Sequence, residues 1–361
     1  MRAEPFRSIV ATPPADDPGE PRLVELIRAE IEAGGPISFA RFMERALYEP
    51  GLGYYATNPE RMTRAGDFVT APELHPVFGQ TAARQIVEMR LRLGSPADFT
   101  VREYGAGRRT LGRALPIDMA YEPVEFDSAR PGTSFTGVVL ANEFLDALPV
   151  HRVVGRSAGL RELLVGWSDG RFVQVEADLS DERLATWFEG RHIRLQEGNV
   201  ADVNLQMLDW LQQVGHDLER GYALILDYGK PAELLYGPER PTSTLRAFRG
   251  QHVSSNVLGG VGHQDLTADV DLDALDDGAV AAGFDVLGRV TQAEFLLNAG
   301  LDEVYGAARA AADNDWESAL NLRAAVRRLL DSSGLGAYAV VILGKGVDAE
   351  PPLSGLVKRA V

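Results

Sequence analysis

The 361-residue chain contains no cysteine. That absence excludes disulfides, thiolate metal sites, iron–sulfur clusters and a cysteine nucleophile together. It fits a reducing compartment, and the expected location is cytoplasmic. Long apolar runs are missing as well. No stretch approaches the roughly 18 apolar residues of a spanning helix, so no membrane span is expected. Positive charge is scarce: 36 Lys and Arg against 52 Asp and Glu give a net charge of −16. An acidic surface repels phosphate backbones, so no nucleic-acid partner is expected. The six histidines (His75, His151, His192, His216, His252 and His263) are scattered without HxH or HExxH spacing, and no metal is expected. There is no GxxxxGK[ST] loop, which argues against an NTPase.

What is present is a chain with 45% hydrophobic and 24% charged residues, enough to bury a sizeable core. Residues 1–21 hold five prolines and read as a disordered lead-in. From 22 to 98 the pattern is helical. Leu23, Val24, Ile27 and Ile31 share one face. Ser38 offers an N-cap to a second amphipathic run carrying Phe39, Phe42, Met43, Ala46 and Leu47. A Gly-, Thr- and Pro-rich loop spans Leu52 to Leu74, and a helix is expected from Pro76 to Leu93.

From 99 to 361 the pattern changes to short apolar runs separated by helices. Strands are expected at Phe99–Glu103, Gly137–Ala141, Tyr222–Asp227 and Ala337–Leu343. The helices between them predict an α/β fold with a mostly parallel sheet. An insertion at 151–200 alternates like antiparallel strands, with Asp169-Gly170 as a hairpin turn.

Three clusters could carry chemistry. Glu103-Tyr-Gly105-Ala-Gly107 is a glycine turn directly after a strand, where backbone can approach a ligand and a helix from near Thr110 would add free N–H groups. Asn142-Glu143-Phe-Leu-Asp146 puts an amide and two carboxylates at the mouth of the next strand, a set suited to a cation or guanidinium. Its alternative is helix capping by Asn142, with the acids favoured by the helix dipole. Gly66-Asp67-Phe68-Val-Thr70-Ala-Pro-Glu73 is a loop whose local turns are explanation enough on physics alone.

Taken together, Ile37–Met43, Ala46-Leu-Tyr48, Pro50-Gly-Leu-Gly53-Tyr-Tyr55, Gly66–Glu73, Phe78-Gly79 and Ala141–Val150 resemble the MidA-like family of methyltransferases, which use S-adenosyl-L-methionine. Thr244-Leu-Arg246, His252, Asp265–Val270 and Thr291–Leu297 extend the likeness over residues 22–345. The resemblance implies a class I, Rossmann-like methyltransferase core. The cofactor would lie over Gly105 and Gly107, with Glu103 at the same turn, and be lined by Asp67, Phe68, Thr70 and Glu73. Asn142, Glu143 and Asp146 would face the methyl acceptor. The acceptor implied is an arginine of a partner protein, with a respiratory-complex subunit as one candidate.

Two departures from the family pattern stand out. Arg109 occupies a place where the family usually carries glycine. The stretch from Gly107 to Asn142 is short and holds Pro116, Pro123 and Pro131. The sheet is therefore expected to be truncated after the glycine motif, with Tyr121–Asp127 as loop and Glu125 as the acid for the cofactor's ribose. These departures keep a second reading open, an inactive scaffold or assembly chaperone. A nicotinamide dehydrogenase is disfavoured, because the third glycine of GxGxxG would fall at Thr110.

Overall fold

The computed structural model describes residues 17–57, 70–126, 134–189, 193–237, 243–250, 252–312 and 315–357. Its strands are β1 Thr100–Tyr104, β2 Ala120–Val124, β3 Phe135–Asn142, β4 His151–Arg156, β5 Gly159–Ser168, β6 Arg171–Ala177, β7 Val200–Val203, β8 Leu218–Asp227, β9 Gly229–Lys230, β10 Arg246–Arg249, β11 His252–Ser254, β12 Asp265–Thr267, β13 Val270–Asp271, β14 Asp285–Thr291 and β15 Ala339–Lys345. The helices are α1 Pro21–Gly34, α2 Phe39–Tyr48, α3 Tyr54–Thr57, α4 Ala71–Leu74, α5 Val77–Arg92, α6 Arg183–Thr186, α7 Leu205–Asp217, α8 Ala232–Tyr236, α9 Leu272–Ala281, α10 Gln292–Asn298, α11 Leu301–Ala311 and α12 Trp316–Leu329.

Among the described residues the main sheet runs β14-β15-β8-β3-β1-β2. The pairs β2/β1, β1/β3 and β3/β8 are parallel, and β15 joins β8 and β14 antiparallel. This is the mostly parallel, Rossmann-like sheet the sequence predicts. The apolar runs at Val138–Ala141 and Tyr222–Leu226 are buried because helices cover both faces. One face packs on α7 and α9 through Val139, Ile225, Leu211 and Leu275. The other packs on α5, α10 and α12 through Val138, Leu224, Ile86 and Leu329. The chain passes from β1 outward to β2 and then returns to the other side of β1 for β3. That reversal makes a switch point between the ends of β1 and β3, where open α/β sheets hold ligands.

The four-stranded antiparallel sheet β6-β5-β4-β7 forms the insertion. Asp169 and Gly170 take φ of +52° and +77°, the two positive values of a tight hairpin turn. The hairpin between β4 and β5 holds Gly155-Arg-Ser157-Ala-Gly159, which matches the Gly-x-Ser-x-Gly spacing. It joins two antiparallel strands rather than a strand and a helix, so it is no nucleophile elbow. The N-terminal helices pack on this sheet. Ser38 caps α2 by accepting from the Arg41 amide at 3.1 Å, and Phe42 meets Phe172 edge-on at 5.2 Å. Within the expected lead-in, residues 17–20 are held: Gly19 bridges Val261, and Asp17 pairs with Arg249. Residues 1–16 lie outside the described set. No helix among the described residues is long and apolar enough to cross a membrane.

Two local expectations fail after β1. No α-helix starts near Thr110. The chain makes turns and a short 3-10 segment at Gly112–Ala114, because Arg109 takes φ +57°, which a right-handed helix cannot include. The segment expected as loop at Tyr121–Asp127 is a strand through Val124. Pro123 is tolerated there because β2 is the sheet's edge and pairs only with β1. The sheet does stop at β2 among the described residues, as the short spacing requires.

Candidate functional site

The turn after β1 opens the site. Gly105 takes φ +65° and Gly107 φ +48°, both left-handed. A Cβ on Gly105 would stand 2.8 Å from the Phe144 ring, so the turn and the segment after β3 touch. Glu125 follows the last residue of β2, and its Oε1 accepts from the Gly107 amide at 2.9 Å. The carboxylate is thus pinned beside the glycine turn at the ends of β1 and β2. Arg109 keeps a glycine-like backbone and is exposed.

The turn after β3 is built differently. Glu143 takes φ +50°, a conformation that costs a non-glycine residue of order 1–3 kcal/mol. Its amide donates to Leu226 O at 2.8 Å. Phe144 and Leu145 donate their amides to Asp227 Oδ2 at 3.1 and 2.7 Å. Asp227, at the end of β8, therefore shapes the turn as a backbone acceptor. No helix follows Asn142, so the capping explanation of Asn142, Glu143 and Asp146 falls away.

Glu143 Oε1 accepts from the Ala71 amide at 3.0 Å and from Asn142 Nδ2 at 3.3 Å. The Asn142 Oδ1 atom is buried and has no hydrogen-bond partner among the described residues. Desolvation, with Asp227 and Asp265 adding repulsion, pushes Glu143 up to about 7. Asp146 lies well above the usual carboxylate range, first through burial and then through Asp227 and Glu143. Asp227 is raised to about 6, mainly by burial, against the amides that favour its charge. Asp227 and Asp265 thus make Glu143 harder to ionise, and together with Glu143 they do the same to Asp146.

A cavity of about 300 Å³ lies between the two turns. Gly105, Gly107, Glu125, Glu143, Phe144 and Arg109 line it, together with Tyr48, Tyr55 and Phe126. Tyr48 stacks on Phe126 at 3.9 Å and donates its hydroxyl to Ala147 O at 2.9 Å. Tyr55 donates to Asp265 Oδ1 at 2.9 Å. Aromatic faces and a carboxylate beside a glycine turn together fit a cationic nucleoside cofactor.

The residues named from the sequence separate into three groups. Gly105, Gly107, Glu125 and Glu143 meet at this cavity. Asn142 and Asp146 stand behind Glu143 within the same turn. Thr70, Glu73 and Glu103 do not line the cavity. Thr70 precedes α4. Glu73 accepts from the Thr110 hydroxyl and lies 3.4 Å from Arg108 Nη1, tying α4 to the glycine turn. Glu103 is buried under the turn, accepts from the Tyr121 hydroxyl, and is pushed up to about 7 chiefly by burial. Asp67 and Phe68 lie outside the described residues. Sequence reasoning missed Tyr48, Tyr55, Phe126 and Asp227 as site residues. The signal for Asp227 was an apolar strand running straight into an acid, the same pattern that exposed Glu143. No group of three or more metal-ligating side chains occurs among the described residues.

Comparison with known proteins agrees with this arrangement. Residues 114–290 match a family model described as "Putative S-adenosyl-L-methionine-dependent methyltransferase". The chain is 28% identical to the mitochondrial protein arginine methyltransferase NDUFAF7 of Danio rerio, over 78% of this chain and 77% of that protein. It is 28% identical to the Homo sapiens protein of the same name, over 80% and 75%. A crystal structure of a "likely methyl transferase" from Burkholderia thailandensis bound to S-adenosyl-homocysteine superimposes with a TM-score of 0.83 at 30% identity, covering 92% of this chain and 94% of that one. The cytoplasmic location expected from the missing cysteines is overturned by the curated relatives, which are named mitochondrial. With architecture and sequence agreeing over nearly its whole length, the chain belongs to the MidA-like family of S-adenosyl-L-methionine-dependent methyltransferases.

Proposed function

We propose that the chain methylates a guanidinium nitrogen of an arginine in a partner protein, and that the partner is a respiratory-complex subunit. The observation that carries the arginine reading is the cluster of Glu143, Asp146 and Asp227 beside the glycine-turn cavity. A crowd of half-neutral acids next to aromatic rings suits a planar cation. It would gain charge-assisted bonds from carboxylates that nothing else neutralises. The name of the curated relatives points the same way.

In this reading Gly105, Gly107 and Glu125 hold S-adenosyl-L-methionine, which supplies an electrophilic methyl group on its sulfonium. Glu143 and Asp146 orient the guanidinium, and the Asn142 Oδ1 acceptor takes one of its N–H groups. Arrival of the cation lowers the Glu143 pKa and releases its proton. The nitrogen that gains a methyl must lose a proton, and the Glu143 carboxylate freed by that release is the group to accept it. Tyr48 and Tyr55 wall the acceptor side and keep water from it.

The test is transfer of a labelled methyl group to a respiratory-complex preparation that lacks the modification, followed by mass spectrometry. Label on an arginine supports the reading. Label on lysine or on a carboxylate overturns the arginine assignment. Cofactor binding with no transfer to any protein would favour the scaffold reading instead.

A further inference from the structure

A cavity of about 790 Å³ lies on the insertion sheet and shares no residue with the glycine-turn cavity. Arg152 of β4, Trp167 of β5 and residues 171–174 of β6 line it. Asp17 and residues 255–259 complete the lining.

Two arginines give this cavity its charge. Arg152 is 8% exposed, and its Nε is buried with no hydrogen-bond partner among the described residues. Asp202 balances the charge, with Oδ1 at 3.4 Å from that nitrogen. Asp202 is nonetheless turned elsewhere: its Oδ2 accepts from the Thr244 and Leu245 amides at 2.7 and 3.1 Å and from the Ser243 hydroxyl at 2.7 Å. The Phe39 ring lies 5.4 Å from the Arg152 guanidinium. A guanidinium held by a ring and an out-of-line carboxylate keeps donors for an incoming oxygen. Arg171, the first residue of β6, is exposed and makes no ion pair among the described residues. The one acid of the lining, Asp17, is engaged by Arg249 and lies 3.6 Å from His263. On a chain of net charge −16, this is a locally positive cavity.

The backbone is unfinished at the same place. β6 is the outer strand of its sheet and pairs with β5 alone. Opposite Gln174 stands Val165, whose N–H and C=O both go to Ile37, at 2.7 and 3.0 Å. Gln174 therefore turns its own N–H and C=O away from β5, and by alternation Phe172 does the same. No backbone group among the described residues bonds them there. An open edge of this kind accepts an added strand.

We propose that this cavity docks an extended acidic segment of a partner protein. The segment adds to β6 as a strand and bonds the outward groups of Phe172 and Gln174. One of its carboxylates meets Arg152 inside the cavity, and another meets Arg171 at the rim. An open edge alone would take any strand, and the two arginines select for Asp and Glu. The docking site is independent of methyl transfer, because the two cavities have no residue in common.

The test is fluorescence anisotropy with a short labelled peptide of alternating glutamate and valine, set against the same peptide with glutamine. No cofactor is needed. The glutamate peptide should bind at least roughly tenfold more tightly, with the gap shrinking as salt is added. Arg152→Met should remove most of the gap. Arg171→Glu, an exposed change, should weaken binding several-fold and keeps the test informative if Arg152→Met does not fold. Two further versions of the glutamate peptide, N-methylated on one or the other set of alternate amides, separate strand addition from charge. The version whose methyl groups face β6 should lose binding, and the other should keep it. Equal binding of the glutamate and glutamine peptides, or of the two methylated versions, would overturn the docking site and leave the methyl-transfer reading standing. So would light scattering that shows a dimer which the peptide cannot enter, since the β6 edge would then belong to a second copy of the chain.

Discussion

The turns after β1 and after β3 lie side by side at one end of the same sheet, yet they are secured by opposite means. The β3 turn holds Glu143 at φ +50° with buried bonds to Leu226, Ala71 and, through its neighbours, Asp227. The β1 turn relies on two left-handed glycines and on contacts nearer the surface, Glu125 to Gly107 and Glu73 to Thr110. Strain in the first is over-determined by its surroundings, so the side chains it aims are fixed. Strain in the second is avoided by residue choice, and where the choice departs from glycine, at Arg109, the residue is exposed. The difference explains why an arginine can stand in the glycine turn, where its side chain is exposed.

The largest effect should come from forcing the two turns apart. Gly105→Val places a branched side chain at φ +65°, against Phe144. Cofactor binding should fall by more than roughly a hundredfold, read by titration with S-adenosyl-L-homocysteine, with circular dichroism unchanged. Next comes the support of the β3 turn. Asp227→Ala removes the acceptor for the Phe144, Leu145 and Tyr228 amides and should cost about 2–3 kcal/mol in denaturant unfolding. If the variant unfolds at the wild-type denaturant midpoint, the β3 turn is not held as described.

A pH experiment separates the two regions more finely. Glu143 is raised from 4.5 to about 7 in the folded chain, so the folded state holds a proton that the unfolded state has released over that interval. Stability must therefore fall as pH rises from about 4.5 to 7 and level off above. Glu103 and Asp227 add to the same slope. Glu143→Gln should flatten the slope and raise the melting temperature at pH 7.5 relative to wild type. A steeper slope in the variant would contradict the assignment. The smallest effect is expected at the β1 turn: Arg109→Gly should stabilise by about 1 kcal/mol at most, through relief of left-handed strain partly offset by a more flexible unfolded chain.

Much of this was legible in the sequence, for physical reasons. The buried strands read as apolar runs, and the acids at the mouth of β3 stood out because a strand interior cannot tolerate them. The edge strand β2 was hidden by Pro123, which argues against a strand only where both sides must pair. The expected helix after Gly107 failed because one backbone angle, at Arg109, decides between a helix and a turn. Tyr55 and Asp265 could not be linked, being 210 residues apart in the chain. Nor could Asp227 be joined to Leu145 before β8 was placed beside β3. Pairings at long range depend on strand order, which local patterns do not encode.

The central claim is that Glu143 serves the methyl acceptor while the glycine turn serves the cofactor. Glu143→Gln tests it most directly, with cofactor affinity and single-turnover methyl transfer measured on the same preparation. The account predicts affinity for S-adenosyl-L-homocysteine within about threefold of wild type and transfer slowed by roughly a hundredfold or more, the loss of one charge-assisted contact together with alignment. Transfer at the wild-type rate, or a loss of transfer that only follows a matching loss of cofactor affinity, would contradict it.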